Sequence, residues 1–417
     1  MRCIENSVKS VVECKYGTCS VIASLGIRFN ALRCSTRKTA LPIGGANPLL
    51  FSSEGIHMVD THQRQSTILI DGYSYLEVFS GEQPCPREGT TIVTVTYGDR
   101  LGYLEQLVAD ALSFTEIDEV LIVSNAATAP VDELAERWPG RVRVIQLAEN
   151  SGSANGYAVG IEAALANGAE YIWMMDDDNT PTPAAVELLH AELKRLEGVH
   201  GSAQVAVLGF RPGQQEDIAQ GVPLRFATQR PSSYFGFHVA QIPYKLWRRR
   251  PWGKRGSKPA AMLSLPFAPY GGMLGHRSLY ESIGVPRREL VLYVDDTEYT
   301  RRITANGGQL YLLTDAVIDE LEDSWNNKAN TRNIYESFLL GNSDFRAYYS
   351  ARNQAWFDKH VWLASPWMYR LNRKIFNSLL TYFAHRRHAE DRLALLQRAI
   401  HDGENSKLGM SSTFPLR

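Results

Sequence analysis

The chain has 417 residues, 44% of them hydrophobic and 21% charged, with 44 Lys and Arg against 45 Asp and Glu. These proportions fit two or three folded domains and exclude disorder of the whole chain. A formal charge of −1 argues against a bulk electrostatic partnership with nucleic acid. No apolar run reaches the ~18 residues that a membrane-spanning helix needs.

The first residues mix Lys, Glu and polar side chains, unlike the apolar core of a secretory signal, so a cytoplasmic location is expected. Cys3, Cys14, Cys19, Cys34 and Cys85 all precede residue 86 without zinc-ligand spacing, which favours free thiols in a reducing compartment. Residues 1–57 show no periodicity. They are expected to be disordered, or to lie upstream of a translation start at Met58. Residues 58–89 are expected to form a small β-rich module, with Thr67–Ile70 and Tyr75–Phe79 as strands.

From residue 90 the pattern sharpens. Thr91–Tyr97, Val120–Ser124, Arg141–Leu147 and Tyr171–Met175 are β-branched or apolar runs that read as buried strands. Between them, Leu101–Leu112, Val131–Trp138 and Ser153–Asn167 have helical spacing. Alternation of this kind predicts an α/β fold, a mostly parallel sheet flanked by helices, with ligands outside the carboxyl ends of the strands. Strands are also expected at Gln204–Phe210 and Leu290–Val294, and helices near Ser278–Ile283 and from Asp295 to Asn306. Residues 90–325 form the expected α/β domain, and 326–417 a C-terminal helical region.

Asp176-Asp177-Asp178 follows the strand Tyr171–Met175 directly. Adjacent carboxylates repel one another, so such a cluster calls for a cation. Alternate side chains, Asp176 and Asp178, can converge on Mg²⁺, which takes one or two carboxylates plus substrate phosphates. Asp295-Asp296-Thr297-Glu298 sits at a second such place, where a carboxylate can serve as general base towards a hydroxyl or cap a helix. Asp295 is the expected cap and Asp296 the group facing the cleft. Gly152, Gly156 and Gly160 share a helix face. Asn150 and Gly152 are placed to touch a ligand, and Gly160 to allow close helix packing. Gly271 and Gly272 suit a tight turn or a backbone wall against a sugar.

Lys245–Lys258 carries seven Lys or Arg among fourteen residues. It reads as a solvated loop, or as a contact for acceptor phosphates or an anionic membrane surface. Met368, Leu371, Ile375, Leu379 and Tyr382 form a helical stripe expected to pack on its own domain.

Thr91–Arg100, Ser124–Ala127, Glu149–Gly160, Trp173–Pro181, Tyr270–Pro286 and Tyr293–Ile303 together resemble, in order and spacing, the family 2 glycosyltransferases of GT-A fold. The triple aspartate and the Asp-Asp-Thr-Glu element are most similar to the galactofuranosyltransferase and rhamnosyltransferase branch. The resemblance implies an inverting, metal-dependent transfer of a galactofuranose- or rhamnose-type sugar. The donor would be UDP- or dTDP-linked, and the acceptor a glycan or lipid-linked glycan in cell-surface polysaccharide synthesis. It assigns donor binding to Thr96, Tyr97, Asp99, Arg100, Asn125, Asn150, Gly152, Asp176, Asp177, Gly271 and Gly272. Mg²⁺ or Mn²⁺ would fall to Asp176 and Asp178, and base catalysis to Asp296 with Asp295 and Glu298. Many members carry a metal-binding His where this chain has Asp319, so either Asp319 is the third ligand or the metal has only two protein ligands. Such an enzyme would be cytoplasmic, with peripheral contact to the inner face of the membrane. Two other readings are a sugar-phosphate nucleotidyltransferase, disfavoured by a first loop with only Arg100, and a non-catalytic carbohydrate-binding protein.

Overall fold

A computed structural model of the chain describes residues 13–15, 18–20, 32–33, 64–70, 73–79, 89–250, 258–322, 333–341 and 343–416. It divides into two units, Met1–Asp60 and Thr61–Arg417. The first holds three short strands, β1 (Glu13–Lys15), β2 (Thr18–Ser20) and β3 (Leu32–Arg33), paired antiparallel in that order. The rest of residues 1–57, the cysteine side chains and the expected boundary between residues 325 and 326 lie outside the described residues.

The second unit is built on one mixed sheet. In chain order its elements are β4 (Arg64–Ile70), β5 (Tyr73–Phe79), β6 (Thr90–Thr96), α1 (Leu101–Ala111), β7 (Ile117–Asn125), α2 (Glu133–Arg137), β8 (Val142–Leu147), α3 (Ser153–Ala166), β9 (Tyr171–Asp176), β10 (Asn179–Pro181) and α4 (Pro183–His200). There follow β11 (Val205–Phe210), α5 (Glu216–Ala219), α6 (Leu224–Ala227), α7 (Ile242–Arg248), β12 (Met262–Ser264), β13 (Met273–His276), α8 (Arg277–Ile283), α9 (Asp295–Ala305) and β14 (Gln309–Glu320). Helices α10 (Ile334–Leu340), α11 (Asp344–His360), α12 (Pro366–Arg387) and α13 (Glu390–Glu404) complete the chain.

Across the sheet the order is β10-β14-β11-β13-β9-β6-β7-β8-β5-β4, with β12 also on β14. The central β9-β6-β7-β8 run is parallel, and β11 is parallel to β14. The strands expected at 67–70 and 75–79 form a hairpin whose second strand pairs antiparallel with β8, extending the main sheet. Arg143 fastens it there, between Glu77 at 3.0 Å and Glu119 at 2.7 Å, all three buried.

Successive strand residues point to opposite faces, and each face has its own core. Val93, Val123, Ile172 and Met174 pack with α3, α8 and α9. Ile92, Ile122, Trp173 and Met175 pack with α1, α2 and α4. Burying each such side chain contributes about 1.5–3 kcal/mol, which is why unbroken apolar runs become central strands. A Cβ at Gly156 or Gly160 would lie 2.5 Å from a Val95 or a Val93 methyl, so both glycines let α3 lie close on β6.

Two expectations fail. Leu290–Val294 is not a strand: a short turn at Arg288–Leu290 is followed by Val291, Tyr293 and Val294 at φ of 68°, 68° and 65°. On α12 the packed face is Tyr369, Asn372, Phe376, Leu380 and Ala384. The expected stripe is rotated off it, with Tyr382 exposed, because Phe376 and its neighbours meet the aromatic cluster of Tyr234, Phe235 and Tyr335. Among the described residues no helix is long and apolar enough to cross a membrane.

Candidate active site

The connections reverse direction between β6 and β9, the place where sheets of this kind open a crevice at their carboxyl ends. Thr96 ends β6 and Asp176 ends β9. Thr96 Oγ1 donates to Asp177 Oδ2 at 2.8 Å, and Arg100 Nε reaches the same oxygen at 2.8 Å. Arg100 also contacts Glu322 at 2.6 Å and Asp178 at 3.4 Å. Burial pushes the Asp177 carboxyl up against the pull of Arg100. Asp178 is pushed up to about 7 by burial and then by the charges of Asp176 and Asp177.

Asp176 is held on both oxygens. Tyr157 Oη donates to Oδ1 at 3.0 Å, and Arg211 Nη1 lies 2.6 Å from Oδ2. Arg211 follows β11 directly, is 2% exposed and also donates to Asn179 Oδ1 at 3.2 Å. Gly271 is the wall of this cluster: a Cβ there would lie 2.6 Å from both Arg211 Nη1 and Asp176 Oδ2. Gly272, at φ 93°, instead serves the turn and donates its N–H to Met174 O.

The second carboxylate pair opens α9. Asp295 does not cap the helix; that position belongs to Val294, which has no cap-forming side chain. Asp295 is buried and accepts from Ser153 Oγ at 2.9 Å, tying α9 to the start of α3. Asp296 is partly exposed and takes the Thr297 N–H at 2.6 Å. Burial pushes both carboxyls up, and the charge of Asp296 adds to the effect on Asp295. Asp296 also feels Asp176, which raises it, and Arg211, which lowers it, so the two clusters share one electrostatic environment. Glu298 has a different task from the expected one. It pairs with Arg302 at 2.6 Å, and Arg302 binds the carbonyls of Ile283 and Val285.

A buried pair on α11 fixes the left-handed loop before Asp295. Asn353 Nδ2 donates to the carbonyls of Leu290, Leu292 and Tyr293 at 2.7, 2.8 and 2.9 Å. Arg352 donates to Leu290 O at 3.1 Å and to Asn353 Oδ1 at 2.9 Å. Strain of this kind persists only where the surroundings over-determine it.

Of the remaining expected residues, Asn125 and Asn150 bind each other at 3.1 Å, joining the loops after β7 and β8. Tyr97 and Asp99 are exposed, and Tyr97 Oη receives Arg346 Nη2 from α11 at 3.4 Å. Gly152 turns towards the loop rather than towards open space: at φ 87°, its Cβ would lie 2.0 Å from Val291 O. Gly152→Ala is therefore expected to cost at least ~2 kcal/mol, since strain and a backbone clash add, read as a lowered denaturant midpoint.

Asp176, Asp178 and Asp319 are not gathered into one metal site; among the described residues no three His, Cys, Asp or Glu side chains are. Asp319 is exposed, paired in register with Thr180. Neighbouring strand residues face opposite ways, and it is Glu320 that approaches Arg211, at 3.8 Å. The sequence reading also missed Arg211, Tyr157, Glu322, Arg346 and Asn353. Arg211 alone carried a local signal, a charged residue at the end of an apolar strand.

Residues 91–283, just under half of the chain, match the family described as Glycosyl transferase family 2. Galactofuranosyltransferase GlfT1 of Mycobacterium tuberculosis (strain H37Rv) is 25% identical over 197 residues, 46% of this chain and 56% of that protein. GlfT1 of Mycolicibacterium smegmatis is 26% identical over 193 residues, 46% and 57% of the two chains. The match thus spans about half the length of these relatives. Among solved structures, GalNAc-T7 with UDP, GalNAc and Mn²⁺ has a TM-score of 0.41 at 15% identity, over 56% of this chain and 43% of that one. The mannosyltransferase PcManGT from Pyrobaculum calidifontis, in complex with GDP-Man and Mn²⁺, has a TM-score of 0.43 at 14% identity, over 78% and 89%.

Proposed function

We propose, on the premise that residues 91–283 form a family 2 glycosyltransferase domain of GT-A type near the galactofuranosyltransferase branch, that this chain is an inverting sugar transferase. It moves a galactofuranose- or rhamnose-type sugar from a UDP or dTDP donor to a hydroxyl of a glycan or lipid-linked glycan in cell-surface polysaccharide synthesis. The observation that carries this reading is that one helix, α3, holds both carboxylate clusters: Tyr157 donates to Asp176 at 3.0 Å and Ser153, one turn earlier, to Asp295 at 2.9 Å.

In this reading Asp296 accepts the proton of the acceptor hydroxyl while that oxygen bonds to the anomeric carbon. The bond to the diphosphate breaks on the opposite face, so the configuration inverts. Thr96, Arg100 and Asn125 shape the donor crevice, and Gly271 brings backbone against the sugar. Asp176 and Asp178 would hold Mg²⁺ or Mn²⁺, since adjacent carboxylates at a strand end repel one another and a cation between them relieves that repulsion. A divalent ion there would neutralise the departing diphosphate. Arg211, already fixed on Asp176, adds a permanent positive charge beside it. Arg100 is engaged by Asp177 and Glu322, which further disfavours a nucleotidyltransferase gripping a triphosphate.

Thermal unfolding of the full chain with UDP or dTDP, in Mn²⁺ or in EDTA, tests this. Stabilisation of ~2.7 kcal/mol is expected at a hundredfold excess over Kd, for one nucleotide and only with the metal. No shift with either nucleotide would bring the non-catalytic reading forward.

A further inference from the structure

After α13, residues 405–416 form no further helix or strand. They run back to the loop that leads into Asp295 and Asp296. Gly409 donates its N–H to Glu289 O at 2.6 Å, within the turn that opens that loop. Leu408 packs in the apolar group of Leu290, Phe357 and Trp362. Arg352 of α11, 1% exposed, bridges the two segments: it donates to Gly409 O at 2.5 Å and to Leu290 O at 3.1 Å. Gly403 makes room for this, because a Cβ there would collide with Arg352 O where α13 lies on α11. The far end is fastened by the Ser411 N–H, which donates to Tyr349 Oη at 2.8 Å. A buried guanidinium that donates to backbone carbonyls fixes them in place, since each lost bond leaves a desolvated group unpaired. Asn353 holds the left-handed loop from one side, and Arg352 carries that hold on to Gly409.

We propose that residues 408–411 are a positioning segment of the active site. Through Gly409 and Arg352 they seat the loop that presents Asp296, so transfer depends on a stretch of chain well outside the family 2 domain. The catalytic consequence rests on the sugar-transfer reading above; the seating of the loop does not.

Gly409→Val is the lever for the test. Gly409 has a φ of 91° and no atom within 4 Å of a Cβ position, so valine strains the backbone there rather than the packing. Hydrogen exchange of the full chain, read peptide by peptide, is compared with that of Gly409→Val and of a chain ending at Glu404. In both variants the amides of residues 290–294 should exchange about tenfold faster, roughly the worth of the lost hydrogen bonds. Those of β6 and β7 should keep their protection, and kcat should fall about tenfold or more with the loop. Should the shortened chain unfold, Gly409→Val still decides. Loop exchange in Gly409→Val equal to that of the unaltered chain would overturn the proposal. So would a rise shared equally by the central strands, or a loosened loop with kcat unchanged. If the loop loosens and no form of the chain transfers sugar, the seating stands and the proposed function fails alone.

Discussion

Asp296→Asn is expected to lower sugar transfer ~10²–10⁴-fold, the usual worth of a positioned general base. The substitution keeps the shape of the side chain and an oxygen to accept the Thr297 N–H, now at 2.6 Å, so the helix start should survive. It also removes the charge that pushes Asp295 up, so thermal stability near neutral pH should hold or rise. The nucleotide-dependent thermal shift should persist, because Asp176, Asp177 and Thr96 are untouched. Initial rates with a UDP- or dTDP-sugar, beside that shift, make the check. Full activity in the variant would remove Asp296 from the mechanism and require another base.

The second large effect lies away from the carboxylates. Asn353→Ala leaves the carbonyls of Leu290, Leu292 and Tyr293 without the amide that now holds them. An unpaired buried polar group costs about 1–3 kcal/mol, and the left-handed Val291, Tyr293 and Val294 lose the contact that keeps them in place. A marked fall in stability is expected, with a fall in kcat, since the loop leads directly into Asp295 and Asp296. Adding Val294→Gly separates the two effects. Glycine removes a left-handed penalty of ~1–2 kcal/mol and should recover part of the stability without recovering kcat. If kcat returned together with stability, Asn353 would be a packing residue and no more.

Asn353 also marks the limit of what could be read along the chain. Thr90–Thr96, Ile117–Asn125, Val142–Leu147 and Tyr171–Asp176 are strands because burial on both faces demands unbroken β-branched and apolar runs. Once those strands alternate with helices, the carboxyl ends become the only place for the polar groups that follow. Thr96, Arg100 and Asp176–Asp178 could therefore be placed from their neighbours in sequence. Leu290–Val294 has the same apolar composition and is no strand. Its carbonyls went instead to Asn353 and Arg352, some sixty residues further on.

The same reasoning separates Asp319 from Glu320. A strand alternates its faces, so a shift of one residue decides which carboxylate meets Arg211, and the pairing of β14 with β10 and β11 sets that register. Glu298 matched the pattern of the motif, yet its charge is taken by Arg302 one helical turn away. By itself, then, the sequence determined the central parallel strands, their crevice and the acidic residues after β9, since hydrophobic periodicity is a local property. Which carboxylate is paired, which is strained into place and which cation lies beside it were decided only by the tertiary structure, because those contacts join residues that are distant in the chain.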